Sequence, residues 1–240
     1  MAGPISQFEV KPLIPLELGG YDISFTNSSL FMVVAVLASS ILFGLAARKG
    51  KMIPSTGQSI LEIMCSFIKD LILDNIGKEG LKFFPFIFSI FVFIAFGNVI
   101  GLIPYSFTIT SHVSTVGALA LLGLIVNTVV GIRHKGLGWL HTFLPKGIPW
   151  PVGVILVPIE IISFVSKPFS LTVRLVANMM VGHIMLKVIA GFVFMLGFLG
   201  FIPMLFMGLI MVFESGIALL QAYIFTVLTC IYLGDALHEH

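Results

Sequence analysis

The stretch from Glu160 to His183 reads EIISFVSKPFSLTVRLVANMMVGH, and it combines a membrane-like composition with a fixed positive charge. Arg174 lies near its middle, and a guanidinium group cannot lose its proton to enter hydrocarbon. Such a charge at the centre of a membrane helix costs about 2.5–3.5 kcal/mol on insertion scales. We therefore expect a chain that retains this charge to use it.

Polar side chains recur along this stretch at helical spacing. Six of them are three or four residues apart and share one stripe of a helix: Glu160, Ser163, Lys167, Ser170, Arg174 and Asn178. His183 follows Arg174 by nine residues, which is about 180° around the helix and about 13 Å further along it. We expect the stripe and the histidine to face different spaces, although Pro168 should bend the helix between them.

The composition of the whole chain indicates a polytopic helical membrane protein. Of 240 residues, 58% are hydrophobic and 10% are charged, whereas soluble domains are about 25% charged. From Phe83 to Ile132 the only acidic or basic residue is His112, so this run exceeds the ~20 apolar residues that cross a bilayer. The net charge of +2 gives no indication of nucleic acid. Cys65 and Cys230 are predicted to be small core residues, and no metal site or cofactor is predicted.

The predicted fold is all-α, with an N-terminal arm on the outer face at 1–28 and a single integral membrane domain at 29–240. It comprises one upright N-terminal span, an in-plane amphipathic helix, a transmembrane hairpin and a long, strongly tilted C-terminal helical hairpin. The surface helix is predicted at 56–80. The spans are predicted at about 29–47, 83–103, 113–132, 151–196 and 201–235.

The surroundings of the amphipathic helix stay open, whereas the membrane topology follows from the distribution of charge. The amphipathic helix is predicted either to lie on the cytoplasmic membrane surface or to pack on a neighbouring protein. Arg48, Lys49 and Lys51 follow the first span, and the segment from Arg133 to Lys146 carries only positive charge. By the positive-inside rule both regions are cytoplasmic, which puts the N-terminus outside and the C-terminal tail in the cytoplasm.

The last two apolar stretches are longer than a bilayer requires. The first contains 46 residues and would extend ~69 Å as a helix, against a hydrocarbon core of ~30 Å. It must either break at Pro158 or Pro168 or run steeply tilted. A tilted hairpin would suit a structure that wraps a neighbouring subunit, although hydrophobic length alone does not fix tilt.

A hairpin that turns near residue 199 predicts which polar groups meet. Glu214 lies fifteen residues after this turn and His183 sixteen before it, so they should be at similar depth. A histidine and a glutamate in a hydrated apolar site can relay protons. Gln221 shares a helix face with Glu214, and we expect Gln221 and Asn178 to lie deeper than the His183–Glu214 pair, nearer to the level of Arg174.

Structural roles are the alternative for several of these residues. Asn98, Ser163 and Ser170 have the residue types that form hydrogen bonds between membrane helices. A buried structural Arg–Glu pair is the alternative for Arg174 and Glu214. That alternative is weak because Glu214 matches His183 in depth, which leaves Arg174 without a carboxylate in this chain. A partner on another subunit would supply one.

Three segments resemble one protein family. SKPFSLTVRLVANMMVGH at 166–183 resembles the signature of the a subunit of F-type ATP synthases, LQAYIFTVLTCIYL at 220–233 resembles its C-terminal helix, and NVIGLIP at 98–104 resembles its second spanning hairpin. The resemblance implies a multi-pass stator subunit of the bacterial inner membrane with two offset proton half-channels and no catalytic site of its own. It also implies partners: the c-subunit ring, b-type peripheral stalk subunits and other ATP synthase subunits.

The resemblance implies a role for each polar residue. Arg174 matches the arginine that faces the c-ring, while His183 and Glu214 match a pair whose order here is similar to that of mitochondrial relatives. Asn178 and Gln221 match polar residues near the arginine. The matches along the cytoplasmic side of the proton path are Glu160, Ser163 and Ser170.

One departure from the family concerns outer access. Gly101 stands where many bacterial relatives have an aspartate, so other groups must serve the outer route, and Asn98 and His112 are the candidates. Coupling to sodium instead of protons stays open, because the ion ligands would lie mainly on the c subunit. The alternative function is a stand-alone secondary transporter that binds an anionic substrate at Arg174. Such folds usually show internal repeats, which this sequence lacks.

Overall fold

Helices account for almost all of the ordered elements in the computed structural model, which describes residues 9–15, 17–18, 21–22, 24–47, 54–103, 106–136, 138–139 and 150–237. The helices are α1 Asn27–Ala47, α2 Thr56–Asn75, α3 Phe84–Gly101, α4 Val113–Lys135, α5 Trp150–Met195 and α6 Phe201–Leu237. Short 3-10 turns occur at Lys78–Phe83, Ile109–Ser111 and Gly197–Gly200. Five helical segments, containing α1, α3, α4, α5 and α6, are long and apolar enough to cross a membrane. The all-α prediction is confirmed.

The N-terminal arm contains two small antiparallel strand pairs that the sequence analysis did not predict. The strands are β1 Pro12–Ile14, β2 Glu17–Leu18, β3 Tyr21–Asp22 and β4 Phe25–Thr26, with β1 paired to β4 and β2 to β3. Asn27 joins this arm to α1. Its side chain accepts a hydrogen bond from the Lys11 backbone N–H at 3.1 Å and donates one to the Glu9 carbonyl at 3.0 Å.

Helix α2 is shorter than the predicted surface helix at 56–80. It ends at Asn75 because Gly77 adopts φ +80, a left-handed conformation that interrupts a helix and favours glycine. Its C-terminal half buries Ile68 and Ile72 against α3 and α6. The N-terminal half leaves Ile60 and Ile63 exposed. One half of its apolar face is therefore covered by this chain and the other half is not.

Helix α5 continues through Pro158 and Pro168 without a break. A proline inside a helix lacks the backbone N–H of that position, but a membrane helix can continue past it when neighbouring turns adjust. One turn later the Thr172 hydroxyl donates back to the Pro168 carbonyl at 2.8 Å, an i−4 bond within the helix. The alternative in which the long stretch breaks at a proline is therefore excluded.

The core lies where α3, α4, α5 and α6 meet. Helix–helix packing here buries large aliphatic and aromatic side chains, among them Ile94, Val116, Leu175, Met179 and Phe225. The opposite face of the α5–α6 hairpin is uncovered, because Phe169 is 69% exposed and Val181 is 60% exposed. A long apolar face of the hairpin is thus left for lipid or for another subunit.

Small residues set how closely the elements approach. A Cβ at Gly234 of α6 would lie 2.8 Å from the Asn75 carbonyl oxygen at the end of α2. We expect Gly234→Ala to push α2 away and to lower the free energy of unfolding by about 1–3 kcal/mol, as overpacking does. Thermal unfolding of the detergent-purified chain, followed by circular dichroism, measures the change.

Gly208→Ala is the matched control on the same helix, because a Cβ there meets nothing within 4 Å. It should leave stability unchanged or raise it by up to about 1 kcal/mol, since alanine has the higher helix propensity. Equal unfolding temperatures for the two variants would contradict the close approach of α2 and α6 at Gly234.

Candidate functional site

The α5–α6 hairpin brings polar residues of the two helices together in pairs. The pairs are His183 with Glu214, Asn178 with Gln221, and Lys167 with Tyr232. All three are nearly symmetric about the turn at Gly197–Gly200, as expected for antiparallel helices in a continuous register. The turn therefore fixes which residues meet along the whole hairpin.

His183 and Glu214 lie side by side at one level of the hairpin. The His183 Nε2 atom is 3.9 Å from Glu214 Oε1, and Glu214 is 4% exposed. Within the described part of the chain neither carboxyl oxygen has a hydrogen-bond partner. An unpaired buried carboxyl group carries a large desolvation cost, so this position needs water or a transferable proton.

Gly182 makes room for this pair. A Cβ at Gly182 would collide with the Glu214 carboxyl group, contacting Oε1 and the carboxyl carbon. The absence of a side chain therefore lets the carboxyl group settle against α5 beside His183. Gly182 is not among the residues predicted from the sequence, because nothing in the local pattern marks a glycine that makes room for a side chain of another helix.

Asn178 and Gln221 form the next pair. The Asn178 amide lies 3.5 Å from Gln221 Oε1, and Gln221 is buried while Asn178 is exposed. Asn98 of α3 donates to the Ala218 carbonyl at 2.8 Å, which puts it between Glu214 and Gln221 along α6. The structure thus gathers amides from three helices near the His183–Glu214 pair.

The connection between α3 and α4 folds inward and contributes hydroxyl groups. Thr108, Thr110 and Ser111 are all buried, and the Thr108 hydroxyl oxygen is 2.9 Å from His183 Nε2. The sequence analysis did not single out Thr108. Loop hydroxyls carry no periodic signal, so only the tertiary fold identifies this contact.

His112 lies at the end of the same connection. Its ring stacks on Phe107 with centroids 4.8 Å apart, and its Nε2 atom has no hydrogen-bond partner among the described residues. Burial lowers the pKa of the His112 imidazole below its ordinary value. Burial thus favours the neutral imidazole of His112, whose Nε2 atom is available to water.

Several buried polar atoms near His183 and Glu214 lack a partner within the described ranges. They are Asn98 Oδ1, Thr110 Oγ1, His112 Nε2, both Glu214 carboxyl oxygens and Gln221 Nε2. Unsatisfied buried groups cost about 1–3 kcal/mol each, and buried water molecules typically bond to such otherwise unsatisfied groups. These atoms mark a region suited to a chain of water molecules.

Arg174 lies apart from these groups on the uncovered face of the hairpin. Its side chain is exposed, and so are Val173 and Ala177 beside it. It forms no ion pair with a carboxylate of the described residues, while Tyr232 lies within its electrostatic range. The guanidinium is thus presented outward.

The other stripe residues lie towards the N-terminal end of α5. Glu160 and Ser163 are half-buried and Ser170 is exposed. The ammonium group of Lys167 lies over the Tyr232 ring, 5.0 Å from its centroid, a cation–π geometry. Among the described residues, no three His, Cys, Asp or Glu side chains gather as metal ligands do.

Residues 29–234 match the family described as ATP synthase A chain. The chain is 49% identical over 247 residues to "ATP synthase subunit a" of Paramagnetospirillum magneticum, with all of both chains covered. It is 48% identical over 241 residues to the protein of the same name from Rhodospirillum rubrum, again over all of both chains. The Hyphomonas neptunium protein of that name is 49% identical over 246 residues, covering 98% of this chain and 96% of the relative.

Proposed function

Since the chain belongs to the ATP synthase A chain family and is a proton-translocating stator subunit of an F-type ATP synthase, we propose which of its residues carry the proton. It is a multi-pass inner-membrane subunit without a catalytic site of its own. The observation that carries the proposal is the exposed Arg174, which has no carboxylate partner among the described residues and lies between two separate polar groups. The comparisons give no support to a stand-alone secondary transporter.

Arg174 is proposed to face the ring of c subunits and to act on the carboxylate of each. A nearby arginine favours the ionised form of a carboxyl group and lowers its pKa by about 1–3 units. A protonated carboxyl group that reaches Arg174 therefore releases its proton. The same fixed cation repels a proton that would otherwise pass directly between the two half-channels.

The outer half-channel is proposed to deliver protons through His183 and Glu214. Their side chains lie 3.9 Å apart, a gap that one bridging water would close for proton transfer, and the unpartnered polar atoms of Asn98 and His112 support a hydrated route to them. Asn178 and Gln221 would then guide the proton towards the c-ring carboxylate. Once neutral, that carboxyl group can enter lipid at a much lower desolvation cost.

The cytoplasmic half-channel is proposed to run along Glu160, Ser163 and Ser170. These residues precede Arg174 on α5, whereas His183 follows it, so Arg174 separates the two routes along the helix axis. A potential of 100 mV supplies ~2.3 kcal/mol per elementary charge. Several protons must therefore be added together for each ATP.

The proposed topology puts the N-terminus outside and the C-terminus in the cytoplasm. Arg133, His134 and Lys135 form the last turn of α4, and the Lys135 ammonium group donates to the Asp235 carbonyl near the end of α6 at 2.9 Å. The ends of α4 and α6 are therefore on one side. The basic residues at 48, 49 and 51 lie outside the described residues. The b-type stalk subunits are proposed as further partners.

Removal of the arginine tests the central role. We expect Arg174→Ala to reduce ATP-driven proton pumping by about 10- to 1000-fold, the factor that corresponds to a pKa shift of 1–3 units. Arg174→Lys should also be severely impaired, because lysine keeps the charge but not the planar fork of donors. Acidification of inverted membrane vesicles containing the assembled complex measures both variants.

Arg133→Ala is the matched control, since Arg133 is also exposed but lies in the last turn of α4. It should pump at the normal rate. If Arg174→Ala pumps protons at the same rate as Arg133→Ala, at equal amounts of assembled complex, the proposed role of Arg174 is refuted.

The His183–Glu214 pair generates a second test. We expect His183→Ala and Glu214→Gln each to lower proton flux about tenfold or more, because positioned proton-transfer groups contribute at least ~100-fold. Gly182→Ala should lower flux to a smaller extent, since its Cβ displaces the Glu214 carboxyl group.

Gly191→Ala serves as the control for Gly182→Ala, because a Cβ at Gly191 on the same helix meets nothing within 4 Å. The same vesicle assay applies to all four variants. If His183→Ala and Glu214→Gln both leave flux unchanged, the proposed outer half-channel is wrong.

A further inference from the structure

Thr108 contacts His183 from a loop that is itself buried. Its hydroxyl oxygen lies 2.9 Å from His183 Nε2 and 3.4 Å from the Gly101 carbonyl oxygen. The loop is held in place locally, because the Ser111 hydroxyl donates to the Thr108 carbonyl at 2.7 Å. The side chain of Thr108 is 4% exposed. A buried hydroxyl therefore bridges the end of α3 and the His183 ring.

A hydroxyl group can serve either protonation state of the ring. When Nε2 carries a proton, the Thr108 oxygen accepts it in a hydrogen bond and its own proton can turn towards the Gly101 carbonyl. When Nε2 is bare, the hydroxyl rotates and donates to it. Threonine has both a donor and acceptor lone pairs, so neither state leaves Nε2 without a partner.

We propose that Thr108 is a positioning residue for His183. Its hydroxyl group holds the His183 ring beside Glu214 in both protonation states of the ring. The inference deepens the proposed function, since it rests on His183 acting in the proton path. The titratable groups that face the ring are Glu214 across the hairpin and Lys187 one turn along α5. A substitution at Thr108 alters neither of these two residues directly.

Gly101 is the second part of the arrangement. A Cβ at Gly101 would lie 2.7 Å from the Thr108 methyl carbon and 3.0 Å from its hydroxyl oxygen. Glycine at 101 is therefore what lets Thr108 sit against α3 and reach His183. A side chain at 101 would move the hydroxyl off the ring.

The test compares Thr108→Val with Thr108→Ser in the assembled complex. Valine has the shape of threonine without the hydroxyl, whereas serine keeps the hydroxyl. We expect Thr108→Val to lower ATP-driven proton pumping about fivefold or more and to change its dependence on pH between about 5 and 8, where histidine titrates. Thr108→Ser should restore both the rate and the pH profile to within about twofold of the unmodified complex.

Thr128→Val is the matched control, because the Thr128 hydroxyl donates only within α4, to the Leu124 carbonyl at 2.8 Å. Pumping rates are compared at equal amounts of assembled complex. If Thr108→Val matches Thr128→Val in both pumping rate and pH profile while His183→Ala is defective, the proposed role of Thr108 is overturned and the proposed proton path is not. Normal pumping by His183→Ala overturns the proton path and this inference with it.

Gly101 supplies an independent variant. We expect Gly101→Ala to lower pumping, and Gly101→Ala combined with Thr108→Ser to recover part of the loss, because serine lacks the methyl carbon that the new Cβ would meet. Normal pumping by Gly101→Ala would overturn the inference that this glycine positions Thr108.

Discussion

The structure depends on one electrostatic constraint, which is that Arg174 carries a permanent charge on a helix made for hydrocarbon. A guanidinium in such a place requires a counter-charge or water, and no carboxylate of the described residues forms an ion pair with it. The nearest glutamate along the opposing helix, Glu214, lies beside His183 instead. Within the described ranges, the charge of Arg174 is therefore left without a counter-ion on this face. That face is also apolar and is left uncovered by the other described residues, as expected if it meets the proposed c-ring.

The length of the α5–α6 hairpin follows from the need to keep separate polar groups in fixed order. His183 with Glu214, Asn178 with Gln221, and Lys167 with Tyr232 occupy successive levels of the same two helices. Two continuous helices in one register hold these levels apart with little freedom, whereas a broken helix at Pro168 would let them move independently. The helix has no break at that point, since α5 runs from Trp150 to Met195 with both prolines inside it. Continuity of α5 is thus a condition for the separation of the two proposed half-channels by Arg174.

Sequence reasoning predicted the parts that depend on periodicity and register. Counting from a turn near residue 199 placed His183 opposite Glu214, and the structure puts their side chains 3.9 Å apart. It failed where a residue acts through space on another element. Thr108 reaches His183 across 75 positions of sequence, and Gly182 accommodates the side chain of Glu214; neither has a local pattern. The end of α2 at Asn75 was missed because Gly77 acts through its backbone conformation, which an apolar periodicity does not report.

Several buried polar atoms lack hydrogen-bond partners among the described residues, as Arg174 lacks a counter-ion. A fold selected for stability alone would pair or remove Asn98 Oδ1, Gln221 Nε2 and the Glu214 carboxyl oxygens. They come from α3 and α6, two elements that pack on each other, and the inward loop adds Thr110 and His112. Groups that must exchange protons with water cannot be fully paired within the protein, because a saturated hydrogen-bond network has no free site for an incoming proton. The polar atoms around His183 and the charge of Arg174, which lack partners among the described residues, therefore fit the proposed function together: the first set can bind water, and the second can meet the proposed c-ring carboxylate.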